Sequence, residues 1–282
     1  MQVKVEHLPG IHQITNEAYH KDSAISKSGW VDFGQNEYLY YVKKTYPEDF
    51  QKDDSKFALG TAFHTYVLEQ HRAEKDIVVQ PGTIKRKYGK EWDAFKAANE
   101  GKTIVTVDQK KTLDAMLESA MQHPRYDSLF PKEGVNEMSF FWENNDYGFI
   151  QKCRPDALPC AGSIVGLKTT GNINPWRFGK IAGDLKYHWS AYLECLGVTQ
   201  CTGVSHEEYV LFVVETSPPF QTVCYRLEPD AISAAKLQVE SLYGRYAQCL
   251  KTNVWPGYPD QILVLPKYAM LVDYTYLYEQ EI

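Results

Sequence analysis

The run Tyr209-Val210-Leu211-Phe212-Val213-Val214 is unbroken, apolar and dominated by β-branched and aromatic residues. It makes 208–216 the strongest strand in the chain, too short and too β-prone for a helix. Residues 163–167 form a second largely apolar strand that reads as buried on both faces. Around these two the pattern changes character once. Before residue 125 the apolar spacing is helical; after it, strands at 137–142, 149–154, 163–167, 208–216 and 223–227 alternate with helices at 175–196 and 230–250. Asn145-Asp146-Tyr147-Gly148 is the turn between the first two strands. This order predicts an α/β or α+β fold, a central mixed sheet flanked by helices. No linker divides the chain, so residues 1–282 are expected to form one domain, helical over about 1–125 with its sheet core over about 135–250.

Within the helical part, Ser26 and Ser28 are candidate caps, and Trp30 to Lys43 continues helically. Residues 54–70 give a clearer helix, with Phe57, Leu59, Phe63, Val67 and Leu68 on one face. Gly60, Thr61 and Ala62 on it allow a neighbour to approach closely, and it carries His64. Lys85, Arg86, Lys87 and Lys90 precede a short amphipathic helix containing Trp92 and Phe95, and 107–123 is another helix. The tail beyond Trp255 is loop with one extended piece at 262–265.

Composition excludes several classes. The chain has 282 residues, 44% hydrophobic and 23% charged, with a net charge of -6. That rules out a disordered or collagen-like chain and a protein that coats nucleic acid by bulk charge, while leaving room for a local basic groove. No stretch nears the roughly 18 apolar residues of a membrane span. The N-terminal residues lack a signal peptide's basic start and apolar core, so the expected location is the cytoplasm. The six cysteines, at 153, 160, 195, 201, 224 and 249, form no CxxC pair. They read as reduced, mostly buried thiols.

The chemistry lies in Lys152-Cys153-Arg154-Pro155-Asp156 followed by Ile164-Val165-Gly166-Leu167-Lys168-Thr169-Thr170. A Pro-Asp at one strand end, with a lysine on the next strand, is the pattern of the PD-(D/E)XK nucleases. There, carboxylates at adjacent strand ends hold Mg²⁺ through oxygen, the metal polarises the scissile phosphate and acidifies its bound water, and the lysine steadies the developing charge.

Flanking blocks narrow this further. Asn16-Glu17-Ala18-Tyr19-His20 with Ser26-Lys27-Ser28, Leu59-Gly60-Thr61-Ala62-Phe63-His64, Gly89-Lys90-Glu91-Trp92, Tyr187-His188 and Trp255-Pro256 stand in order around the motif. With them the chain resembles the RecE (exonuclease VIII) family of phage and prophage double-strand DNA exonucleases over about residues 14–268. The resemblance implies a PD-(D/E)XK nuclease fold in which His64 and Asp156 bind metal and Lys168 and Asp156 are catalytic. It also implies Mg²⁺, with Mn²⁺ as a substitute, double-stranded DNA ends as substrate, and 5′-to-3′ digestion in a bacterial host's cytoplasm. The assembly it implies is a ring-like homo-oligomer working beside a single-strand annealing protein. Lys85, Arg86, Lys87 and Lys90 read either as a DNA-gripping edge or as a solvated helix start. The cysteine spacings do not reproduce the iron–sulfur pattern of some relatives in the superfamily.

Two positions depart from the family. Gly166 stands where members carry an Asp two residues before the lysine, and Ser190 where they carry a Gln after the Tyr-His pair. One Asp plus one His is a poor Mg²⁺ site, so the expectation is an exonuclease fold with impaired or lost catalysis. Its alternative is a pseudonuclease that binds DNA ends or a host protein, for instance in phage counter-defence. Glu137 and Glu215 are the acids that could lend the missing carboxylate; each also reads as an ordinary solvated strand-end acid.

Overall fold

The computed structural model describes residues 7–50, 57–131, 134–159, 162–206 and 208–266. Cys160, residues 1–6 and the first residues of the expected 54–70 helix lie outside them. The first half runs β1 (Gly10–His12), α1 (Asn16–Lys21), α2 (Lys27–Gln35), α3 (Glu37–Thr45), α4 (Ala58–Leu68), α5 (Gln70–Asp76), β2 (Ile77–Val79), α6 (Lys90–Ala98), β3 (Thr103–Val105), α7 (Val107–Gln122) and α8 (Tyr126–Leu129). The second runs β4 (Val135–Asn136), β5 (Ser139–Asn144), β6 (Phe149–Cys153), β7 (Ala157–Leu158), β8 (Ile164–Thr170), α9 (Pro175–Asp184), α10 (Tyr187–Thr202), β9 (Tyr209–Glu215), β10 (Thr222–Arg226), α11 (Pro229–Glu240) and α12 (Tyr243–Thr252).

The strands form a mixed five-stranded sheet in the order β10-β9-β8-β7-β4, a three-stranded sheet β1-β5-β6, and a parallel β2-β3 pair. The expected mixed sheet is therefore present, but the 137–142 and 149–154 strands leave it for a separate antiparallel sheet. At the centre β8 runs parallel to β9, pairing Gly166 with Leu211 and Lys168 with Val213.

Alternation along these two strands sorts their side chains between two cores. Ile164, Tyr209, Leu211 and Val213 pack beneath α10 and α11 with Trp189, Leu193, Ala235 and Val239. Val165, Leu167, Val210, Phe212 and Val214 pack beneath α4 and α7 with Ala62, Phe63, Leu113 and Met116. A strand buried on both sides must be apolar at every position, which explains the unbroken 209–214 run. Gly166 and Lys168 share the α10 face.

The long helices expected from periodicity are interrupted. Asn36 separates α2 from α3, its Oδ1 accepting the Leu39 N–H at 2.9 Å as an N-cap. Lys186 takes a left-handed φ of 54° and divides the 175–196 segment into α9 and α10. Ser241 and Leu242, without any left-handed residue, divide the 230–250 segment into α11 and α12. Residues 262–265 form no strand and lie exposed. Among the described residues Cys153, Cys195 and Cys249 are buried and Cys201 and Cys224 half-buried, and no helix is long and apolar enough to cross a membrane.

Candidate active site

Asp156 sits in the short crossing from β6 to β7, where Pro155 fixes the backbone. The segment before it is anchored on α1. Lys152 and Arg154 lie over the Tyr19 ring at 4.6 and 4.3 Å. The Lys152 ammonium donates to the carbonyls of Tyr19 and Asp22, and the Arg154 guanidinium donates to Ser139 Oγ at 2.7 and 2.9 Å. These contacts give the block around Tyr19 its purpose: it seats the strand that presents Asp156.

The Asp156 carboxylate then bridges to β8. Its Oδ2 accepts the Leu167 N–H at 2.6 Å and the Lys168 ammonium at 2.9 Å. Lys168 also donates to the Leu167 carbonyl at 2.8 Å and lies 5.7 Å from the centre of the Tyr187 ring. Helix α4 approaches the same strand because Gly60 has no side chain: a Cβ there would stand 3.3 Å from Thr169 Oγ1. One turn along, His64 Nδ1 comes to 3.9 Å from Asp156 Oδ1.

Glu137 completes the group. Sequence pattern places it inside a strand, but the chain breaks there between β4 and β5, and Glu137 adopts a left-handed φ of 53°. A non-glycine residue in that conformation is held against its preference, as happens where a side chain must be aimed. The result is that ligand atoms of His64, Glu137 and Asp156 lie within 4.8 Å of one another. Glu215, the other candidate acid, is used elsewhere: its Oε1 accepts the Ile173 N–H at 3.1 Å.

The charges are interdependent. Burial pushes the Asp156 carboxyl up, but Lys168 and His64 outweigh it and hold the group below its usual value. Burial pushes Lys168 down, and its pairing with Asp156 more than reverses that. Burial lowers His64, leaving its imidazole neutral and able to act as a ligand near pH 7. Burial, then the nearby Asp156 charge, raises Glu137 to about 8. Two carboxyls and a neutral imidazole that crowd one point, one acid kept protonated by burial and then by the other acid, are a donor set that a divalent cation relieves. The residues present therefore fit the metal that the fold family uses.

His64 and Glu137 open on a cleft of about 1160 Å³, whose lining also includes Gly60, Arg72, Arg154 and Thr169. Lys85, Arg86, Lys87 and Lys90 do not line it; they stand exposed on the segment leading into α6. Trp92 of that helix packs on Phe95, ring centres 6.2 Å apart. Ser190 lies on α10, and His188 contacts Gln238 rather than the acids, at 3.2 Å.

Gly166 is closed over. A Cβ on it would meet the Tyr209 hydroxyl at 2.7 Å, and that hydroxyl donates to Glu194 Oε2 at 2.9 Å. Glu194 itself is raised to about 8 by burial and then by Asp156. Sequence reasoning missed it, since on a helix it looks like any polar residue; its spacing of four from Ser190, which places both on one helix face, is the signal that was available.

Strand ends that present an acid and a lysine, beneath a helix carrying a histidine, define a PD-(D/E)XK-like nuclease fold. Residues 26–265 match the family described as "PDDEXK-like domain of unknown function (DUF3799)", and the chain belongs to that family. In structure it is similar to a protein from Eubacterium rectale described as a candidate exonuclease, with a TM-score of 0.62 and 16% identity over 90% of this chain and 96% of that one. At that identity the likeness shows the fold. The structure of SSO0001 aligns with a TM-score of only 0.29 and 14% identity over 68% of this chain and 88% of that one. No curated protein matches the sequence.

Proposed function

We propose that this protein is a metal-dependent nuclease acting on DNA ends, with His64, Glu137 and Asp156 holding the cation and Lys168 beside it. The observation that carries this reading is the convergence of the three ligand atoms within 4.8 Å, with the Lys168 ammonium 2.9 Å from Asp156. The sequence alone counts one acid and one histidine there. Glu137 adds a second carboxylate, which meets the usual requirement of Mg²⁺ or Mn²⁺ for one or two; for that reason hydrolysis is favoured over an inert site.

A cation bound there supplies Lewis acidity toward a phosphodiester and lowers the pKa of a water. The chain's own residues do the rest. Asp156 fixes Lys168 against the end of β8, the ammonium offers positive charge where a phosphate gains negative charge, and the neutral imidazole of His64 adds a donor without adding charge. Arg72 and Arg154 in the cleft wall, and the exposed Lys85, Arg86, Lys87 and Lys90 outside it, suit a polyanionic substrate. By resemblance to RecE the substrate is the end of a DNA duplex. The partners are then a single-strand annealing protein and further copies of this chain.

Linear and closed-circular duplex DNA, incubated with Mg²⁺ or Mn²⁺, test the reading. The expected result is shortening of the linear form alone, lost in EDTA and in Asp156→Asn. A second reading is favoured by the Tyr209 hydroxyl that fills the space at Gly166: a pseudonuclease that binds ends without cutting. Tight, salt-sensitive binding with no shortening in either metal would establish it instead.

A further inference from the structure

The side chains of the metal site come from separate segments, and their spacing has to be set by contacts between those segments. His64 rides on α4, Glu137 follows β4 and Asp156 precedes β7. The last two are neighbours in the sheet. β4 pairs with β7 through Asn136 and Ala157, and just beyond that pair the Glu137 N–H donates to the Asp156 carbonyl at 3.3 Å. Helix α4 lies outside the ladder, so strand pairing does not fix His64 against Glu137.

Asn136 makes that link. Its Nδ2 donates to the Leu68 carbonyl at 3.0 Å. Leu68 is the last residue of α4 and stands one turn beyond His64. Its carbonyl is among those that a helix end leaves without an intrahelical partner. Asn136 immediately precedes Glu137, so one amide ties the end of the histidine's helix to the residue beside the glutamate. Both Asn136 and Leu68 line the cleft on which His64 and Glu137 open. The amide's other atom, Oδ1, is buried with no hydrogen-bond partner among the described residues. A buried oxygen left unpaired costs stability, so the bond from the nitrogen is what this side chain contributes there.

We infer that Asn136 is a positioning residue for the metal site, holding α4 so that His64 faces Glu137 and Asp156. This rests on the metal-dependent reading above. Mg²⁺ tolerates little departure from its preferred bond lengths and angles, so a helix that carries one ligand must be kept in register with the strands that carry the others. Groups that orient ligands without touching the metal act in this way.

Asn136→Ala removes the amide, and Asn136→Leu removes it without leaving a void; the second serves where the first does not fold. Each change is made in the wild-type chain and again in His64→Ala. Mn²⁺ is titrated alone, bound metal being read from the loss of the free-ion EPR signal, with circular dichroism as the check of fold. In the wild-type background Mn²⁺ binding should weaken about 10–100-fold. In His64→Ala the same change should move it by less than about threefold, because no imidazole is left for Asn136 to position.

Wild-type protein that binds no Mn²⁺ overturns the metal-dependent reading and this inference with it. Wild-type binding that is undiminished in the Asn136 variants overturns the inference alone. So does an equal fall in the two backgrounds, or loss of the fold in both Asn136 variants, either of which makes Asn136 a general support of the structure.

Discussion

Replacing Glu137 by Gln should make the metal-free protein more stable while ruining its metal site. The glutamate is raised from 4.5 to about 8 by burial and by the neighbouring Asp156 charge. Because the folded value lies above the unfolded one, the folded state holds the proton more tightly. The stability associated with that proton is complete below pH 4.5, is lost as pH rises toward 8, and stays lost above it. At about 1.4 kcal/mol per pH unit, that interval corresponds to at most about 5 kcal/mol, and solvent at the partly exposed side chain brings it to about 2–3 kcal/mol. Glutamine has the shape of the protonated acid and never ionises. Urea unfolding in EDTA at pH 6 and pH 9 should therefore show wild type losing about 1–2 kcal/mol more than Glu137→Gln across that range. The difference between the two proteins isolates Glu137 from Glu194, which titrates in the same window. Saturating Mn²⁺ should reverse the order, stabilising wild type and leaving the variant unmoved. Parallel pH profiles for the two proteins would refute the placement of Glu137 against Asp156.

Gly166→Asp by itself should destabilise the fold by about 1–3 kcal/mol, as overpacking does, because its Cβ falls 2.7 Å from the Tyr209 hydroxyl; thermal melting should show the loss, and Tyr209→Phe should recover most of it. Lys168→Ala should cut the rate of DNA cleavage by about 100-fold or more while leaving binding near wild type, which a comparison of kcat with KM resolves. Changing Lys85, Arg86, Lys87 and Lys90 together to Gln should lower DNA affinity and flatten its dependence on log salt by about 3–4 if all four touch phosphate. An unchanged slope would assign them to the solvated surface.

The parts of the fold that depend on local pattern were open to reading. The 209–214 run was apolar because β9 is covered on both faces. Lys168 followed a buried strand, and His64 lay on a helix whose Gly60 permits approach to Thr169. What depended on backbone exceptions was hidden. Glu137 and Lys186 are left-handed without being glycine, so the first was read into a strand and the second into the middle of a helix. Asn36, whose backbone is extended, was read through rather than as a cap because helical periodicity continues past it, and only the hydrogen bond to Leu39 marks the break.

The site divides along the same line. Asp156 and Lys168 lie close in sequence, on consecutive segments, and their pairing could be expected from the motif. Glu137 was one of two candidate acids, and only its turn between β4 and β5 separates it from Glu215. The Gly166–Tyr209–Glu194 chain joins β8, β9 and α10. No spacing in a single sequence reveals a contact made by three elements. For that reason the sequence counted a lost carboxylate at 166 without seeing the acid on the helix opposite.

The most direct test of the central claim is a crystal soaked in Mn²⁺, with the anomalous signal recorded near the manganese edge. The account predicts one strong peak bound by His64, Glu137 and Asp156, absent from crystals of Asp156→Asn. No peak among these three side chains at saturating Mn²⁺, or a peak held by other residues, would contradict it.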